Sequence, residues 1–148
     1  MNHPYLRAYM AGISLPTPLL LLALTLFFIA RFVYNVPVPV ERAIIFPMAI
    51  IPNLFGVWNM FYQISHSRTH LSLGVHGAIL PFLIAPAGFF LGRCLGFLHA
   101  GSHGLIYFGF VQIPYLLVAV VFPTAQIVYY LVWKYVIGYL NRVAGVAR

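Results

Sequence analysis

Long apolar runs separated by short breaks leave this chain few ways to fold. The runs cover 18–34, 43–64, 76–98 and 105–140, and each holds at most one charged residue. About 20 apolar residues in a helix match the hydrocarbon thickness of a bilayer. Hydrocarbon offers no partner to backbone N–H and C=O groups, so a spanning segment must close its hydrogen bonds internally, as a helix does. The sequence therefore predicts an all-α integral membrane bundle of four transmembrane helices. Composition agrees: 6% of residues are charged, 63% are hydrophobic and the mean hydropathy is +0.97. An ordinary soluble domain carries about 25% charged residues, and disorder needs low hydrophobicity.

The length of 148 residues fits one domain. The first span is expected at 18–34, with Pro16 and Pro18 at its start, where a missing N–H costs nothing. Met1, Arg7 and the run that follows have the outline of a signal peptide. The run continues through Phe32 and Val33 without a good cleavage site, so an uncleaved span is expected. The link at 35–42 alternates Val and Pro and should be extended. The second span is expected at 43–64 and the third at 76–98, followed by a Gly- and His-rich turn at 99–104. The last run is too long for one span. Pro123 divides it into a fourth span at 105–122 and a helical extension at 124–140, kinked or lying at the interface. Trp133 with Tyr129, Tyr130, Tyr135 and Tyr139 reads as an aromatic belt near Lys134.

The formal charge of +7 comes from eight Lys and Arg against one acid, Glu41. These basic residues lie singly near the ends of apolar runs. They read as topology signals and contacts with anionic headgroups, not as a nucleic-acid surface. With both termini cytoplasmic, Arg7, Arg68, Lys134, Arg142 and Arg148 lie inside and Arg31, Arg42 and Arg93 outside. Cys94 is alone, which excludes an intrachain disulfide, and it reads as a small core residue.

The second span carries Pro52, Gly56, Asn59, Gln63, His66 and His70 at spacings of 4, 3, 4, 3 and 4. On a helix they form one stripe, which must face other helices or a polar pocket. His66 and His70 are four apart, as are His99 and His103, with His76 between. An i, i+4 pair can bind a metal, and the same histidines could ligate a haem iron. A helix over 77–98 would be roughly 33 Å long at about 1.5 Å per residue, which holds the two pairs apart. The expectation is thus no cofactor, with a transition metal or haem as the alternative.

Gly88, Gly92 and Gly96 recur every fourth residue and read as a helix-packing stripe. Arg93 lies beside them. Glu41 is its one carboxylate candidate, and an alternative partner for Arg31; capping of the second span is the other reading of Glu41. A single acid in the chain disfavours proton relays, two-carboxylate hydrolysis and Mg²⁺ or Ca²⁺ sites. There is no phosphate-binding glycine loop and no acid to orient a serine–histidine triad. The sequence points to a small multi-pass membrane protein that packs with lipid and other membrane helices as an accessory subunit, without catalysis of its own. The competing readings are a His-ligated metal or haem protein in electron transfer or oxidation, and a small transporter with its site on the second-span stripe.

Overall fold

Proline sets the start of the first helices. Pro4 opens α1 (Pro4–Ile13) and Pro16 opens α2 (Pro16–Phe32), each in the first turn, where the helix needs no N–H donor. The computed structural model describes residues 3–37, 41, 45–109 and 111–146. Residues 38–40 and 42–44, where the extended link and the start of the second span are expected, lie outside the described residues. Beyond them, α3 (Phe46–Thr69) contains Pro52 and ends where His70 turns left-handed at φ 52°.

Ser72 caps α4 (Leu73–Cys94), its hydroxyl accepting from the Val75 N–H at 3.4 Å. The helix closes with a Schellman arrangement. Phe97 N–H donates to the Gly92 carbonyl at 3.0 Å and Gly96 N–H to that of Arg93 at 3.1 Å, with Gly96 at φ 73°. The third span expected to reach residue 98 therefore stops at Cys94.

A small antiparallel meander follows: β1 (Leu98–Ala100), β2 (Gly104–Tyr107) and β3 (Val111–Pro114), in the order β1-β2-β3. Leu98 pairs with Tyr107, and Tyr107 with Val111. Gly104 is required by close approach, because a Cβ there would lie 2.2 Å from the Ile113 carbonyl oxygen. The meander corrects the expected fourth span at 105–122 and the all-α class. The chain is mostly helical, but its helix resumes only at Tyr115. Apolar character alone does not separate strand from helix here. Phe108 and Gly109 both sit left-handed, at φ 52° and 80°, which breaks a helix, and Pro114 closes an edge strand that can spare its N–H.

The last helical stretch runs from Tyr115 to Val143. It comprises α5 (Tyr115–Leu131), a π-helical turn (Val132–Ile137) and α6 (Gly138–Val143). The expected helical extension at 124–140 lies within it. Pro123 sits inside α5 and does not end it. Among the described residues, three helical stretches are long and apolar enough to cross a membrane: Pro4–Phe32, Leu73–Cys94 and Tyr115–Val143. The polar stripe of α3 keeps that helix out of this group.

The chain forms two units, Met1–Leu71 with Tyr135–Arg148, and Ser72–Lys134. The first is built around α1, α3 and α6. Ala8 and Ala11 of α1 are buried, and a Cβ at Gly12 would lie 2.6 Å from the Phe55 carbonyl oxygen, so the two backbones nearly touch. The second packs α4 on α5 and on the meander. Trp133 is fully buried there, seated on Gly77 of α4, where a Cβ would fall 2.1 Å from its ring. Trp133 is thus a core residue and not part of an aromatic belt, whereas Tyr135 and Tyr139 are exposed.

Gly77→Ala should lower stability in detergent by about 1–3 kcal/mol, the usual cost of overpacking. Gly88→Ala, where a Cβ meets nothing within 4 Å, should be nearly neutral. Thermal unfolding of the two purified variants provides the comparison, and equal losses would contradict the Gly77–Trp133 contact.

Candidate functional site

The polar stripe of α3 is the strongest site signal in the sequence, and its middle is where the first unit buries its polar groups. Gly56 and Asn59 are buried, Gln63 is half-buried, and His66 and His70 are exposed. Gly56 lies against Tyr9 and Ile13 of α1. Three residues on, Asn59 is 0% exposed and meets Asn141 of α6, itself 1% exposed.

The two amides form a reciprocal pair. Asn59 Nδ2 donates to Asn141 Oδ1 at 2.7 Å, and Asn141 Nδ2 donates back to Asn59 Oδ1 at 3.1 Å. Asn59 Nδ2 also donates to the Ala8 carbonyl of α1 at 2.7 Å. One side chain thereby ties α1, α3 and α6 together. Both Asn59 amide protons are used, which a buried amide requires. Toward the start of α3, the Tyr9 hydroxyl donates to Asn53 Oδ1, and Asn53 Nδ2 donates to the Ala49 carbonyl.

The arrangement is suited to holding helices in register. Amides neither titrate nor attack at ordinary pH, and the junction brings no acid, base or nucleophile together. The sequence marks Asn59 but not its partners. Asn141 stands alone near the chain end, and α1 gives only a faint sign, the small residues Ala8 and Gly12 four apart.

The histidines take separate positions within their units. His66 Nδ1 donates to the Leu71 carbonyl at 3.1 Å, closing the end of α3. His70 is the left-handed residue that stops that helix. His76 is buried with its ring edge-on to Trp133, centroids 6.1 Å apart. His99 on β1 and His103 in the β1–β2 turn are exposed. Among the described residues, no three His, Cys, Asp or Glu side chains gather to hold a metal ion.

The glycines expected to form one packing stripe have three different surroundings. Gly88 faces open space, Gly92 is covered by Leu98 and Phe97 after the chain turns back, and Gly96 is the left-handed cap of α4. Arg93 stands in the last turn of α4, where a cation favours the helix C-terminus. Glu41 takes the Arg31 option, accepting from Nη1 at 2.8 and 3.1 Å. No acid lies in the first turn of α3, so Glu41 does not cap it. Cys94, expected in the core, is exposed.

The second unit also holds an apolar groove of about 490 Å³ between α4 and α5, walled by Pro81, Ile84, Leu117, Val121 and Phe122 and reached by Ile113 of β3. At the meander, burial pushes the Tyr107 phenol above its usual range, so it stays a neutral donor. No family model, curated protein or solved structure matches the chain.

Asn59→Leu should cost about 1–3 kcal/mol, because it leaves Asn141 and the Ala8 carbonyl buried without that partner. Asn141→Leu should also destabilise. The double variant should lose less than the sum, with a coupling of about 0.6–1.7 kcal/mol as between polar side chains in membrane helices. Strict additivity in a double-mutant cycle would show that the two amides do not act as a pair.

Proposed function

We propose that this chain is a multi-pass integral membrane protein that serves as a helix-packing or accessory subunit of a membrane assembly, with no catalysis of its own. The observation that carries this reading is the apolar surface of α2 and α5. In α2 only Pro16 is buried, and in α5 no residue is. Leu19, Leu22, Leu26 and Phe32 of α2 and Leu116, Val120 and Ile127 of α5 are all exposed. Helices apolar on every face are stable only when covered, by lipid or by other helices. The lipid bilayer and neighbouring membrane helices are therefore the partners.

In this reading α3 is the fourth crossing, alongside the three apolar stretches. Its stripe is tolerable in a bilayer because α1 and α6 cover Gly56 and Asn59. Four crossings put both termini on one side. The excess of Lys and Arg near Arg7, Arg68, Lys134 and Arg142 makes that side cytoplasmic. The chain's single acidic side chain, Glu41, is engaged by Arg31 on an exposed surface, which supports a role without catalysis.

Membranes containing the chain should retain it through washes with high salt and with carbonate. In mild detergent, crosslinking should give a species larger than one chain. Release by carbonate would overturn the multi-pass reading. A strictly monomeric chain in native membranes would overturn the assembly reading.

A further inference from the structure

The meander between α4 and α5 meets two opposed requirements. Its sheet is open, so β1 and β3 each have one edge without a partner strand among the described residues. Backbone groups along such edges are costly in hydrocarbon and are satisfied by water or headgroups, which keeps an open sheet out of the hydrocarbon core. Its composition acts in the other direction. The rings of Phe97, Tyr107 and Phe108 form one cluster, with centroids 5.7 Å apart for Phe97 and Tyr107, 5.3 Å for Phe97 and Phe108, and 4.3 Å for Tyr107 and Phe108. Leu95 and Val111 beside them are exposed. The three rings are half-buried against one another, and their remaining surface, with the exposed Leu95 and Val111, is disfavoured in bulk water.

Connectivity sets the level. The sheet begins four residues after α4 ends at Cys94, and α5 begins at Tyr115 directly after β3. Both neighbours are apolar enough to cross a membrane. Arg93, exposed in the last turn of α4, stands at the foot of the sheet. Arginine and aromatic side chains together mark the headgroup level at the end of a span.

We infer that the meander is a membrane-interface anchor, with the corner formed by Phe97, Tyr107 and Phe108 seated among the lipid headgroups and upper acyl chains. This rests on the membrane reading above and adds to it a surface and a depth. The meander fixes the depth of α4 and α5 by lying flat between water and hydrocarbon, where its edges and its rings are both satisfied.

Site-directed spin labelling tests this in the full chain. Cys94 is the single cysteine, so Cys94→Ala supplies a cysteine-free background. Labels are placed at Val111→Cys and Gln112→Cys, which point to opposite faces of β3 and are both exposed. A third, at Ile127→Cys, sits on an exposed position of α5 about 18 Å beyond Tyr115. In phosphatidylcholine–phosphatidylglycerol vesicles, collisions are measured with oxygen, which concentrates in lipid, and with a water-soluble nickel chelate. The label at Ile127 should meet oxygen several-fold more than nickel. At least one meander label should be reached by both reagents at headgroup depth, and thermal unfolding matched to the Cys94→Ala background shows that both labelled variants are folded.

A water-like profile at both meander labels, with Ile127 still deep, would overturn the anchor and leave the membrane reading standing. So would a deep profile at both, which would make the segment re-entrant. Spin–spin broadening at Val111 that disappears on dilution with unlabelled chain would assign the aromatic corner to a second copy instead of lipid, and would also overturn the proposal. Nickel access at Ile127 would remove the membrane reading and the anchor with it.

Discussion

A helix that exposes a long apolar surface has no stable position in water, and among the described residues α2 and α5 leave most of their apolar surface uncovered by the chain. The consequences extend to the polar residues. In hydrocarbon, where the proposed function puts these helices, each amide, hydroxyl and backbone end must be satisfied within the protein. Thr17, Thr25 and Thr124 donate to the carbonyl four residues earlier. Ser72 and Gly96 close the two ends of α4. These are local solutions that a single helix supplies on its own.

Asn59 cannot be satisfied locally. Its amide bonds Ala8 in α1 and Asn141 in α6, residues 51 and 82 positions away. The net worth of such a bond is modest, about 0.6 kcal/mol on average between membrane helices, but a bare buried amide costs more than a bond gains. That asymmetry makes the junction a device for specificity. Sliding α1 or α6 along α3 would leave an amide unpaired, while small residues alone would tolerate several registers. The close approach at Gly12 brings the backbones near enough for the Ala8 carbonyl to be within reach. The ion pair of Arg31 and Glu41 is 38% and 66% exposed, and exposed pairs are worth about 0–1 kcal/mol, so it contributes little to this selection.

What was legible in the sequence follows the range of the interactions. The helix start at Pro16 comes from a property of one residue, and the grouping of Gly56, Asn59 and Gln63 on one face of α3 from local spacing alone. The burial of that face could be expected, but the helix that covers it could not. Residues 4–13 are amphipathic, with Ala8, Ala11 and Gly12 on one face, but ten residues are too few to read as a span and do not reveal which helix they cover, and Asn141 looks like one more surface residue at a helix end. The glycines at 88, 92 and 96 misled because spacing of four is shared by two physical devices. Between helices it permits close packing. At a helix end it places a left-handed cap one turn after a residue on which the returning chain can fold, as Leu98 does on Gly92. Only the termination of α4 separates the two.

The meander has the same explanation at larger scale. Residues 105–114 are as apolar as a span, yet Gly104, Gly109 and Pro114 punctuate them every five residues, and no stretch between is long enough to nucleate a helix. Strands of four residues use that spacing, with Gly104 admitting the Ile113 carbonyl and Gly109 turning the chain. The cost of strands is their open edges, which a helix does not have. An apolar segment that cannot form a helix must therefore be buried in protein or lie where water reaches its backbone. Directly between the ends of two apolar helices, with its backbone edges open and its rings clustered, it meets the second condition.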